Sequence, residues 1–223
     1  MRRQTLKRAF INTAPASKWS NKNWVVLGDS ISVVTGLTEK FYHEYIQDSI
    51  PGLTVYNHAI SGTGYYCNVR SRIYQVIDSL ENDADLITIF AGTNDWNENG
   101  GTPMTLGNLG DTDPTESFYG AVDYTLRQLV TKYPTKTIAV FTPLPRDNNW
   151  GVKSTGVTLE QVADAIKRTS HRYSIPVLDL YNESNFYAWD SNFNRYAMPD
   201  GLHPNANGHK IIANKVLSFL NSL

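Results

Sequence analysis

The sequence predicts a doubly wound α/β sandwich built on a five-stranded parallel sheet, as a single domain over residues 21–223. Three observations lead to this class. Five short runs are dense in apolar and β-branched residues, helically spaced apolar positions lie between them, and the longest polar loops follow two of the runs. Near-continuous apolar runs suit strands covered on both faces, as in a parallel sheet.

The first run is Trp24-Val25-Val26-Leu27, followed by a helical pattern over 37–49 that carries Phe41, Tyr45 and Ile46. The second is Leu53-Thr54-Val55-Tyr56, and residues 70–82 then place Ile73, Val76, Ile77 and Leu80 on one helical face. Leu86-Ile87-Thr88-Ile89-Phe90 is the most apolar run and precedes a helix over 115–133. Thr137-Ile138-Ala139-Val140-Phe141 precedes a helix over 158–173, where Thr158 and Gln161 form a capping-box pattern. The fifth run is Val177-Leu178-Asp179-Leu180, and a helix over 205–221 closes the series, with Asn205 or Asn207 near its cap.

The loops at 96–114 and 142–157 both follow predicted strands. They belong at the carboxyl edge of the sheet, where ligands of open α/β sheets bind.

Composition narrows the functional classes. The 223 residues carry 20 Lys and Arg against 21 Asp and Glu, a formal net charge of -1. Such a chain has no global positive field to hold it on nucleic acid. Residues 1–20 form a basic leader or linker, with Arg2, Arg3, Lys7 and Arg8. No apolar stretch follows them, so the segment does not read as a secretory signal. That leaves a cytoplasmic location, or export by a route without such a signal. No apolar run is long enough for membrane insertion. The single cysteine, Cys67, allows no disulfide within the chain and reads as a small apolar residue without a catalytic role.

Four short motifs could carry chemistry. Gly28-Asp29-Ser30 directly follows the first strand, where glycine permits a sharp turn and projects the serine from the sheet edge. Asp200-Gly201-Leu202-His203-Pro204 spaces a carboxylate three residues before an imidazole, so the acid can fix the tautomer of a general base. Gly92-Thr93-Asn94-Asp95 follows the third strand, and the Asn94 amide can donate to a developing oxyanion. In Ser61-Gly62-Thr63-Gly64, Gly62 can offer an unobstructed backbone N–H. Each motif alone reads first as a turn, because Gly, Asp, Asn and Ser are turn and cap residues. Together they supply nucleophile, base, orienting acid and oxyanion donors at one sheet edge, the set that acyl transfer needs.

These motifs resemble the four blocks of the SGNH (GDSL-type) hydrolase family, and they span residues 28–204. The resemblance implies a flavodoxin-like three-layer fold and hydrolysis of esters without metal or cofactor. In that scheme Ser30 attacks the acyl carbon, His203 takes its proton and Asp200 orients His203. The oxyanion lies against the Ser30 N–H, the Gly62 N–H and the Asn94 side chain. One departure is Ile31-Ser32, where the family pattern continues with leucine.

Asp29 and Asp95 are read as supports of their loops through local hydrogen bonds. His43, His58, His171 and His209 are scattered and read as surface or packed histidines. No His-Glu-x-x-His or Cys/His ligand spacing occurs, so no metal site is expected. The Gly-x-Ser-x-Gly elbow, the dinucleotide fingerprint and the P-loop are also absent.

Aromatic residues crowd the same edge: Trp96, Trp150, Trp189, Tyr65, Tyr66, Tyr187 and Tyr196. Rings in a polar cleft suit sugars or acyl groups, although packing accounts for most of them. Trp96 and Tyr65 flank motifs and are the candidate substrate contacts. The expected activity is a serine esterase acting on short acyl esters, acetyl foremost, carried by a small molecule or a glycan. The alternatives are a glycan-binding module that catalyses nothing and an acyltransferase using the same triad.

Overall fold

The computed structural model describes residues 17–33, 36–66, 70–97, 103–146, 153 and 155–223. Five strands form one parallel sheet: β1 (Asn23–Gly28), β2 (Thr54–Asn57), β5 (Leu86–Phe90), β6 (Thr137–Phe141) and β7 (Val177–Leu178). Their order is β2-β1-β5-β6-β7, every pair parallel. Counted among the five, this is the flavodoxin-like order 2-1-3-4-5, with its switch point between β1 and β5. A further parallel pair, β3 (Thr63–Gly64) and β4 (Ser71–Arg72), stands apart from the main sheet.

Helices cover both faces, which gives three layers. Strand residues alternate between the faces, and here both alternating sets are apolar. Val25, Leu27, Ile87, Ile89, Ile138 and Val140 face α3 (Phe118–Lys132) and α4 (Leu159–Arg172). Trp24, Val26, Leu86, Phe90, Phe141 and Leu178 face α1 (Tyr42–Ser49) and α7 (Ala206–Ser222). Each fully buried side chain of this size contributes about 1.5–3 kcal/mol. The one polar residue within β5, Thr88, is satisfied because its hydroxyl accepts the Trp24 indole N–H at 2.9 Å.

The capping box expected at Thr158 is present: Gln161 N donates to Thr158 Oγ1 at 3.1 Å, and Thr158 N to Gln161 Oε1 at 2.8 Å. Asn205 caps α7 by accepting from Asn207 N and Gly208 N.

Several elements differ from the sequence reading. The pattern at 70–82 forms a 3₁₀ helix, Ile73–Ser79, that buries Ile73 and Ile77. The fifth strand stops at Leu178, because Asp179 caps a short helix, α5 (Leu180–Glu183). The Asp179 carboxylate is also held by Lys167 at 2.9 Å. Two short helices unforeseen in the sequence, α2 (Thr93–Trp96) and α6 (Ser191–Ala197), lie at the carboxyl edge or lead back to it. Of the expected basic leader, residues 1–16 lie outside the described residues. Trp19, placed in that leader, instead belongs to the core: it is 5% exposed and its indole N–H donates to Leu220 O at 2.9 Å. Cys67 and Trp150 lie outside the described residues.

Candidate active site

The carboxyl ends of β1 and β5 meet at the switch point, and the four motifs gather around them. Ser30 comes two residues after Gly28. A Cβ at Gly28 would lie 2.8 Å from Ser32 Oγ and 2.9 Å from Phe90 O, so the turn passes too close to β5 for a side chain. Asp29 then caps a 3₁₀ turn over Ser30–Ser32 by accepting from Ile31 N at 2.9 Å. This turn holds the serine at the sheet edge.

His203 reaches Ser30 from the loop before α7. Its Nε2 lies 2.9 Å from Ser30 Oγ, and its Nδ1 lies 2.7 Å from Asp200 Oδ2. Asp200 Oδ1 accepts two backbone N–H groups, Leu202 at 2.9 Å and His203 at 2.6 Å. Burial on its own pushes the Asp200 carboxyl up, but the His203 backbone and ring, the Leu202 N–H and the charge of His203 outweigh it. The net displacement is downward, so Asp200 stays ionised. A carboxylate only accepts, so Nδ1 carries the hydrogen and Nε2 presents its lone pair to the Ser30 hydroxyl. Gly201 makes this turn possible with φ 73°.

Gly62 and Asn94 come from the segments after β2 and β5, the two strands that flank β1. Thr63 N donates to Ile60 O at 3.0 Å, and Gly62 has φ 80°, the position of such a turn that demands positive φ. Ile60 N donates to Gly28 O at 3.0 Å, which fastens this loop to the end of β1. Asn94 Nδ2 donates to Thr63 O at 2.9 Å, so the amide is held against the residue that follows Gly62. Asn94 itself projects from α2, which starts after Gly92 at φ 119°. Ser30, His203 and Asp200 thus form one hydrogen-bonded chain, and Asn94, Thr63, Ile60 and Gly28 form a second, which meets the first where Gly28 leads into the Ser30 turn.

Beneath it lies a buried charge cluster. Asp95 is fully buried and accepts from Tyr65 N at 3.0 Å and Tyr66 N at 2.7 Å. These bonds span about thirty residues, so Asp95 ties two loops together rather than serving only its own. A Cβ at Gly64 would lie 2.4 Å from Asp95 Oδ2, so only glycine lets the carboxylate approach. Burial raises the Asp95 carboxyl to about 6, against the pull of the Tyr66 and Tyr65 N–H groups. Burial likewise raises Asp29 to about 7; the Ile31 N–H opposes the rise, Asp95 adds to it and Arg146 opposes it. Arg146, absent from the sequence reading, is 9% exposed, donates to Thr93 Oγ1 at 3.2 Å and lies 5.3 Å over the Trp96 ring. No local motif marks it, and its only signal in the sequence is an arginine soon after a strand.

The candidate substrate contacts need correction. Tyr65 is 0% exposed, with its ring edge-on to Phe118 at 5.9 Å. Trp96 is 4% exposed and gives its indole N–H to Val157 O at 3.1 Å. Both rings are packing that holds the site loops. Among the described residues the exposed Phe, Tyr and Trp rings are Tyr187, Trp189 and Tyr196.

Comparison with known proteins agrees with this architecture. The family model for the GDSL-like Lipase/Acylhydrolase family matches residues 26–211. A crystal structure of a protein from Lactobacillus plantarum is 29% identical, covers 91% of this chain and 98% of its own, and superimposes with TM-score 0.82. A lipase/acylhydrolase from Enterococcus faecalis is 15% identical with TM-score 0.61, covering 90% of this chain and 96% of its own. A catalytic mutant of an acetylxylan esterase from Geobacillus stearothermophilus is 19% identical with TM-score 0.59, covering 90% and 94%. No curated protein matches. With the family model spanning most of the chain and a five-stranded parallel sheet beneath it, the protein belongs to the GDSL-like lipase/acylhydrolase family, whose members hydrolyse esters.

Proposed function

We propose that the protein is a serine esterase that removes short acyl groups, acetyl foremost, from carbohydrate. The observation that carries this reading is the line Ser30 Oγ, His203 Nε2, His203 Nδ1 and Asp200 Oδ2, with contacts of 2.9 and 2.7 Å.

In this mechanism the Ser30 hydroxyl passes its proton to His203 Nε2 as Oγ attacks the acyl carbon. The carbonyl oxygen gains the negative charge and takes hydrogen bonds from the Ser30 N–H, the Gly62 N–H and the Asn94 amide. An amide nitrogen has two hydrogens, and Asn94 commits one of them to Thr63 O. When the tetrahedral species collapses, His203 returns the proton to the departing sugar oxygen and leaves acyl-Ser30. Water then attacks by the same route, frees the acid and restores Ser30. Asp200 keeps its charge throughout and stabilises the imidazolium that forms at each attack.

The short acyl group, acetyl foremost, is supported by the fold shared with an acetylxylan esterase. The carbohydrate is supported by the amide-rich loops at the same edge and by the shared fold with an acetylxylan esterase. The test is release of p-nitrophenol from p-nitrophenyl acetate and butyrate by the wild type and by Ser30→Ala. Turnover that favours acetate and vanishes in the variant supports the reading. Equal rates in the two proteins would overturn it.

A further inference from the structure

Between α5 and α6 the exposure of the chain alternates over Phe186–Trp189, where Asn185 has φ 64° and a turn closes over residues 187–190. Phe186 and Ala188 are 3% and 1% exposed, whereas Tyr187 and Trp189 are 47% and 68% exposed. Tyr187 and Trp189 thus form a short row of phenol and indole at solvent, and Asn185 lines the cleft beside them.

The row is fixed from below. Phe186 packs edge-on to Phe193 at 5.4 Å, Ala188 O accepts from Asn194 Nδ2 at 2.8 Å, and Asp190 N donates to Tyr187 O at 2.8 Å. Tyr187 meets Trp189 at 5.5 Å and Phe193 at 5.4 Å, both edge-to-face. The two large rings are thus held at solvent by a backbone that cannot turn them inward without breaking these bonds.

Beside the row opens a cleft of about 370 Å³, lined among others by Arg146, Asn182, Ser184, Asn185, Tyr187 and Trp189. It lies beyond the carboxyl ends of β6 and β7, two to three strand spacings from the end of β1, which is roughly 10–15 Å. Its floor is coupled to the catalytic centre, since Arg146 Nη1 donates to the hydroxyl of Thr93, the residue before Asn94.

We infer that this row and cleft bind the saccharide chain of an esterified glycan, with Trp189 and Tyr187 as its stacking platform. The inference rests on the reading of the site as a carbohydrate esterase and names the surface that reads the carbohydrate. Exposed rings offer flat apolar faces to the C–H faces of sugar rings, and neutral amides beside them answer ring hydroxyls. Among the described lining residues the one charged group, Arg146, is almost entirely buried, so the cleft meets a ligand with neutral polar groups.

The experiment uses two independent readouts. In the first, titration calorimetry measures binding of xylohexaose, cellohexaose and hexa-N-acetylchitohexaose to Ser30→Ala, and to that variant carrying Trp189→Ala or Tyr187→Ala. At least one hexasaccharide binds Ser30→Ala, and each added substitution weakens it about tenfold. In the second, Trp189→Ala and Tyr187→Ala in the otherwise wild-type chain keep kcat/KM for p-nitrophenyl acetate within about twofold, while KM for acetylated xylohexaose rises about tenfold. Lack of binding by all three hexasaccharides overturns the inference. So does a KM for acetylated xylohexaose that neither substitution moves. If Trp189→Ala turns a dimer into a monomer in sedimentation and no saccharide binds, the face joins two copies and the inference falls. A wild type inert towards p-nitrophenyl acetate counts against the esterase reading, and the calorimetry still decides this one.

Discussion

Asn94 Nδ2 donates to Thr63 O at 2.9 Å, which makes one side chain both the support of the Gly62 loop and a donor at the proposed oxyanion site. An alanine there removes a donor and loosens the neighbouring one. Asn94→Ala is expected to lower kcat on p-nitrophenyl acetate on the order of 10²–10³-fold with little change in KM. A kcat within twofold of wild type in stopped-flow or steady-state assays would remove Asn94 from the oxyanion site.

Asp200→Asn separates orientation from charge. The amide oxygen can still accept the Leu202 and His203 N–H groups, so the turn keeps its shape. Its NH₂ would face Nδ1, which then presents a lone pair and moves the hydrogen to Nε2, the wrong nitrogen for a base. We expect kcat to fall on the order of 10⁴-fold with the melting temperature nearly unchanged. Retained activity would mean that Asp200 serves only the turn.

Asp29 links the site to pH-dependent stability. Burial raises its folded pKa to about 7 from an ordinary 3.8, so between about pH 4 and 7 the folded chain holds a proton that the unfolded chain has released. Its stabilising share is complete below pH 4 and is lost as the pH rises through 7. Asp29→Asn keeps an acceptor for Ile31 N and cannot ionise. The melting temperature of the variant relative to wild type should therefore climb from pH 4 to pH 8. A difference independent of pH would contradict the buried neutral carboxyl.

His209 acts in the opposite direction. It is fully buried between α1 and α7, stacked on Tyr42 at 6.4 Å, and neither ring nitrogen has a hydrogen-bond partner among the described residues. Burial, helped by neighbouring His43, lowers its pKa to about 3 from 6.5. The unfolded chain therefore binds the extra proton between pH 6.5 and 3, and stability is lost as the pH falls through that window. His209→Phe should raise the melting temperature more at pH 5 than at pH 8, where both rings are neutral. An equal shift at both pH values, by calorimetry, would count against this account.

Gly64→Ala probes packing beneath the site. The new methyl would lie 2.4 Å from the Asp95 carboxylate, which carries the Tyr65 and Tyr66 N–H groups. A loss of roughly 1–3 kcal/mol in urea unfolding is expected. A stability equal to that of wild type would show that Asp95 can move aside freely.

The strands were legible because a sheet buried on both faces leaves little room for polar residues, and the runs at 24–27, 86–90 and 137–141 obey that constraint. The motifs at Ser30, Gly62 and Asn94 were legible because each follows a strand and topology brings strand ends together, and the motif at 200–204 because its spacing pairs a carboxylate with an imidazole before the last helix. What the sequence could not convey is the way the loops pack. Tyr65 and Trp96 adjoin motifs, and for that reason their rings are used to wedge the motif loops against the sheet. Tyr187 and Trp189 adjoin no motif, and what turns them outward is the burial of Phe186 and Ala188 around the turn at 187–190, which no sequence pattern marks. Likewise the pattern at 70–82 holds i, i+3 pairs, Ile73 with Val76 and Ile77 with Leu80, which share a side in a 3₁₀ helix as they do in an α-helix, so spacing alone does not tell the two apart.

Ser30 and His203 lie 173 positions apart, yet their hydrogen bond is a single contact between two loops. Contacts of such sequence separation demand that the intervening chain be organised first, so they are among the late ones to form. A ribosome-bound or partly unfolded chain would carry an unactivated serine, harmless to cellular esters, until the layer formed by α7 has docked. Reactivity with an acyl donor would accordingly report completion of the last structural layer, and acylation kinetics during refolding would time that event directly.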